Sequence, residues 1–256
     1  MTLDELVSQL RAAYGPALRA VVLYGSTVAG EHIPRRSDSN VLVVVDELPL
    51  ETLRAAAAVT KAWMSGGNPP PMIFTEREWR SSADVFPMEY SDILERNRVL
   101  FGDDVFAGIT VSREHLRLQV EQEAMGKLLH LRQSVFGASA DTRAQLEILE
   151  RSLSKLMILL RAVVRLHGDT PPTDYEALSR MVADRSGFDA EALLRVVRHV
   201  RGQIKLRTAE VPKALGDYLL AVEHLAHHLD RFNNVTEADS AQRAARSTQR
   251  SSTPNS

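Results

Sequence analysis

Apolar residues at helical spacing open the chain. Leu3, Leu6, Val7 and Leu10 recur every three or four positions, which predicts a helix over residues 2 to 14, ended by Gly15 and Pro16. The pattern then becomes extended. Leu18 to Tyr24 reads as a buried strand, and Val41 to Val45 is an unbroken β-branched and leucine run, the composition of a central strand covered on both faces. Pro49 to Ser65 reads as one helix, with proline near its first turn and Gly66-Gly67 at its end. Met72 to Phe74 predicts a short strand, and Thr75 caps a brief helix beginning at Glu76. Pro87 to Ile93 and Arg98 to Phe101 read as further extended segments. The first hundred or so residues are therefore expected to mix α and β.

Beyond Ser112 the 3.6-residue period dominates. Ser112 to Phe136 opens on a capping serine and carries Leu116, Val120, Leu128, Leu129 and Leu131. Asp141 to His167 contains a continuous stripe, Leu146, Leu149, Leu153, Leu156, Leu160 and Val163, which reads as core first and as a dimer seam second. Shorter helices are expected at about 174 to 184 and 189 to 201, and Val211 to Phe232 closes the series. From Thr236 large apolar side chains almost vanish, which predicts a disordered tail. The expected organisation is an α+β domain over 1–110, a helical bundle over 111–235 and a tail over 236–256.

Composition narrows the classes of function. The chain of 256 residues has a formal net charge of −2, which argues against a broad basic surface for nucleic acid or anionic membrane. It contains no cysteine, which removes disulfides and thiolate metal sites. The amphipathic start lacks the basic-then-apolar order of a signal peptide, and no apolar run of about 18 residues occurs. A soluble cytoplasmic protein with no membrane partner is expected.

Candidate chemistry lies between the first two strands, in LYGSTVAGEHIPRRSDSN, Leu23 to Asn40. Gly25 permits a tight turn and close approach to a ligand, and Ser26 can cap a following helix whose free N–H groups favour phosphate. Asp38 and Asn40 are two apart, so an extended strand points both to one face. That is how a strand presents paired carboxylates to magnesium, except that the second position is an amide.

These residues resemble the minimal nucleotidyltransferases of the DNA polymerase β superfamily, which include aminoglycoside nucleotidyltransferases and small antitoxin-type members. Gly25 and Ser26 match the family's Gly-Ser turn, Asp38 matches the first acid of its Asp-x-Asp, and Asn40 stands in place of the second; the likeness covers about residues 18 to 101. The resemblance implies a nucleotidyltransferase-like mixed sheet with flanking helices, followed by an all-α bundle. It implies that the Gly-Ser turn binds nucleotide phosphates, that the acid pair holds Mg2+, and that a third acid helps deprotonate an attacking hydroxyl. Asn40 contributes an oxygen but no charge, which argues against an ordinary two-metal enzyme.

Glu89 in FPMEYSDI takes the approximate place of the third acid. On a strand Phe86, Met88 and Tyr90 would form the apolar set and leave Glu89 on the other face, with Asp92 the competing choice at opposite parity. Asp46 shares the parity of Asp38 but lies roughly 26 Å along a regular strand. Arg36, beside Arg35, is a candidate for the triphosphate, and Lys127 with Arg132 could face a ligand from the first long helix. His224 and His228 have metal-binding spacing, but Leu225 stands where a zinc-protease motif needs glutamate. Neither a P-loop nor a dinucleotide fingerprint is present. The reading is an NMP-transferring enzyme using an NTP, Mg2+ and a small-molecule, RNA or protein hydroxyl. The alternative is an inactive nucleotide-binding or regulatory module, with a homodimer through the helical half as a further expectation. An antitoxin-like modifier is a third reading.

Overall fold

The computed structural model describes the backbone of residues 1–25, 27, 28 and 39–250, with side chains to 232. The chain divides into two compact units, Met1–Gln119 and Val120–Ser256. The disordered tail expected from 236 falls on residues whose side chains, and from 251 whose backbone, lie outside the described residues.

Helix α1 (Leu3–Tyr14) begins in a capping box: the Thr2 hydroxyl accepts from Glu5 N–H and the Glu5 carboxylate accepts from Thr2 N–H. A turn of 3-10 helix over Gly15–Ala17 leads into β1 (Leu18–Tyr24), followed by β2 (Asn40–Val45). Then come α2 (Leu50–Ala55), α3 (Ala57–Ser65), β3 (Met72–Thr75), α4 (Glu76–Ser81), α5 (Pro87–Glu95) and β4 (Asn97–Gly102). The strands form one mixed sheet in the order β3-β2-β1-β4, antiparallel except for the β2–β3 pair.

Strand alternation divides the core into two layers. Leu18, Val21 and Leu23 of β1 with Val41, Val43 and Val45 of β2 pack against Leu6 and Leu10 of α1 and Val59 and Trp63 of α3. The opposite set, Ala20, Val22, Leu42 and Val44, packs against Trp79 of α4 and Tyr90 and Ile93 of α5. Both central strands are thus covered on both faces, as their unbroken apolar composition requires. Trp79 and Tyr90 stack with ring centroids 4.2 Å apart, and each donates its polar hydrogen to a backbone carbonyl, Val105 and Trp79 respectively.

Three expected elements differ, one of them the last helix, expected to close at Phe232, whose backbone runs on as helix to Arg250. The single helix over Pro49 to Ser65 is two, with Ala56 at φ −83°, ψ −6° between them. The strand expected over Pro87 to Ile93 is helix α5. Proline at the first helical position has its φ already set for a helix and no N–H to satisfy. Pro87, Tyr90 and Ile93, three apart, form the buried face, and this overrides the alternation of Phe86, Met88 and Tyr90.

In the second unit α7 (Thr142–Leu166) is capped by Asp141, whose carboxylate accepts from Arg143 and Ala144 N–H. It buries Leu149, Leu153, Leu156, Leu160 and Val163, so the stripe read from the sequence is core. Around it run α6 (Arg113–Ala138), α8 (Tyr175–Ser186), α9 (Glu191–Val200) and α10 (Val211–Arg250). Among the described residues no helix is long and apolar enough to cross a membrane.

Candidate functional site

The end of β1 and the start of β2 meet at one register position: Tyr24 pairs with Asn40 on one side and with Asn97 of β4 on the other. Gly25 follows at once. Its N–H donates to Arg96 O at 3.1 Å, its carbonyl accepts from Val28 N–H at 3.1 Å, and its φ is +84°. A β-carbon at Gly25 would lie 3.2 Å from the amide nitrogen of Asn40. The turn therefore needs glycine twice, for its backbone conformation and for the Asn40 amide that packs on it.

Asn40 has the parity of Leu42 and Val44, so it belongs to the face of the sheet covered by α5. The neighbouring backbone is anchored where the chain re-enters the described region: Ser39 N–H donates to the Asn68 side-chain oxygen at 3.0 Å. Asn68 follows α3 and also reaches Trp63 O at 3.5 Å.

Helix α5 brings acids to this corner. On a helix Glu89 and Asp92 are three apart and share a face, so the competition expected from strand parity does not arise. Both charges act on Tyr24. Burial is the main cause that raises the Tyr24 hydroxyl pKa, and Glu89 and then Asp92 push it further, to about 12. Gln119 fixes the start of the helix: its side-chain oxygen accepts from Met88 N–H at 2.8 Å and its amide donates to Glu89 at 3.0 Å. At the other end the Asn97 amide donates to the carbonyls of Ile93 and Leu94, capping α5 before β4 begins. Arg96, 7% exposed, lies between them.

The structure thus gathers Gly25, Asn40 and Glu89 of the expected set at one end of the sheet. Ser26, Arg36 and Asp38 lie outside the described residues. Asp46 pairs instead with Arg19 at the opposite end of β2. Tyr24, Asn68, Asn97 and Gln119 were missed by sequence reasoning. Tyr24, Asn68 and Gln119 act through tertiary contacts that no local pattern encodes, whereas Asn97 acts locally on Ile93 and Leu94, and an asparagine just past a helix end is a recognisable capping signal.

Among solved structures the fold is similar to that of spectinomycin adenyltransferase AAD(9) from Enterococcus faecialis, determined with ATP and spectinomycin. The TM-score is 0.59 at 14% sequence identity, covering 89% of this chain and 98% of that one. The fold is nucleotidyltransferase-like. No family model matches the sequence, and no curated protein matches it.

The remaining candidates have other surroundings. Arg132 pairs with Glu223 at 3.0 Å. His224 Nδ1 meets Gly187 O at 3.2 Å, and His228 Nε2 meets His167 Nε2 at the same distance with the rings stacked. Burial lowers the His228 pKa, with Arg231 and Arg185 adding to it. Among the described residues no three His, Asp or Glu side chains gather as a metal cluster.

Proposed function

We propose that this chain binds a nucleoside triphosphate at the β1–β2 corner and transfers its nucleoside monophosphate to a hydroxyl of a small molecule, RNA or protein. One observation carries the reading: the Gly25 turn, Asn40 and the Glu89–Asp92 face of α5 meet at one end of a nucleotidyltransferase-like sheet. The neighbouring fold belongs to an adenyltransferase determined with ATP.

In this reading the Gly25 turn, with Ser26 and Arg36, takes the phosphates, and Asp38 with Asn40 takes Mg2+. The donor types suit that ion: a carboxylate at Asp38 and an amide oxygen at Asn40 are both hard oxygen ligands of the kind magnesium prefers. When bound, the ion supplies charge neutralisation to the phosphates. The acceptor hydroxyl oxygen forms a bond to the α-phosphorus while the bond from that phosphorus to the bridging oxygen breaks. Pyrophosphate leaves with the electron pair, and the hydroxyl proton passes to the Glu89 carboxylate. Gln119 orients Glu89 for this role.

Asn40 favours a second reading, a nucleotide-binding regulatory module without transfer, because an amide holds a divalent cation less strongly than a carboxylate. Pyrophosphate release from each NTP in the presence of Mg2+ separates the two. For the enzyme, Glu89→Gln lowers the rate by about 100-fold or more, the usual contribution of a general base. Asp92→Asn tests the neighbouring acid in the same assay. Metal-dependent nucleotide binding with no pyrophosphate from the wild type selects the regulatory module.

A further inference from the structure

The second unit contains a cavity of about 550 Å³ between α6 and α7, a volume in the range of small-molecule sites. Its lining has two characters. Leu131, Ile148 and Ala144 give an apolar floor, while Lys127, Lys155, Arg151 and His130 bring nitrogen donors to the wall.

Three features bear on what the cavity could hold. First, Lys127 and Lys155 both line the cavity and repel one another, and neither makes a hydrogen bond or ion pair among the described residues. Burial holds the Lys127 pKa below its usual value and Lys155 pushes the same way, against Glu123. Second, of the two acids in the lining, Glu147 stands 3.5 Å from Arg151 and 3.7 Å from Arg143, so its charge is shared with arginines. Third, Gly126 and Gly137 lie within α6 and line the cavity, although glycine is a poor helix former. A β-carbon at either would meet nothing within 4 Å, so no close packing demands a glycine there. The missing side chains leave room.

We propose that this cavity binds a phosphorylated small molecule, its phosphate between Lys127 and Lys155 and its apolar part on Leu131 and Ile148. Phosphate suits two ammonium groups that act as point charges without a fixed fork. The Ser134 hydroxyl, 3.2 Å from His130 Nδ1, adds a polar group to the same wall. No residue of the β1–β2 corner takes part, so this site stands or falls independently of the proposed nucleotide site.

The test uses the full chain with phenyl phosphate as probe, read by calorimetry and by NMR of the lysine side chains. Binding should be saturable, should raise the Lys127 pKa, and should exceed that of inorganic phosphate because the ring gains the apolar floor. Lys127→Gln with Lys155→Gln should weaken it by about tenfold or more. Gly126→Leu replaces glycine with a better helix former that fills the cavity, so it should fold and lose binding. Either no saturable binding, or binding that survives both the double lysine change and Gly126→Leu, would overturn the proposal. Equal affinity for inorganic phosphate and phenyl phosphate would overturn the role given to the apolar floor.

Discussion

At φ +84° Gly25 adopts a backbone conformation that costs an L-residue about 1–2 kcal/mol, before its β-carbon meets the Asn40 amide at 3.2 Å. Gly25→Ala should lower stability by at least that amount in a denaturant titration, and a neutral result would mean the turn differs from the one described. Tyr24 gives a second test at this scale. Its pKa is raised to about 12, so the folded state favours the neutral phenol. The sign follows: its contribution to stability is fully present below the unfolded value near 10 and is lost as pH rises from there to about 12. Because Glu89 helps to raise the value, Glu89→Gln should lower the Tyr24 pKa, as followed by NMR of the tyrosine rings. An unchanged titration would separate Glu89 from the corner.

Helix α5 sets Glu89 and Asp92 on one face, beside the Tyr90 and Ile93 face that packs on the sheet and near enough to Tyr24 to raise its pKa. Its first turn depends on Gln119, which satisfies Met88 N–H and holds Glu89 together. Gln119→Ala should cost about 1–2 kcal/mol in thermal or chemical unfolding, the usual result of leaving such groups unpaired. Asp141→Ala, at the start of α7, should cost about 1 kcal/mol through the lost cap. Elements with one dominant signal were legible in the sequence. The run Leu18 to Tyr24 matches β1 in both bounds, and Thr75 caps α4 in a full capping box. Pro87 to Ile93 was misread because Phe86, Met88 and Tyr90 alternate by chance, whereas the proline start and the three-residue spacing of Pro87, Tyr90 and Ile93 decide the helix. The same error hid the shared face of Glu89 and Asp92. Gly25 and Asn40 were readable from their local pattern, while the contacts of Gln119 and Asn68 depend on segments distant in sequence.

For the whole molecule, a mixed sheet with both faces covered places a glycine turn, an amide and two acids at one end, and a helical unit follows. That architecture resembles an adenyltransferase in fold, and Asn40 places an amide where the resemblance read from the sequence leads one to expect a second acid. The departure concerns charge, since amide and carboxylate both offer oxygen. Calorimetric titration of each NTP, with and without Mg2+, on the wild type and on Asn40→Asp tests this most directly. The account predicts that the wild type binds at least one NTP and that Asn40→Asp gains about tenfold or more in magnesium-dependent affinity, as one added ligand charge should give. Absence of NTP binding by the wild type, or a magnesium dependence that Asn40→Asp leaves unchanged, would contradict it.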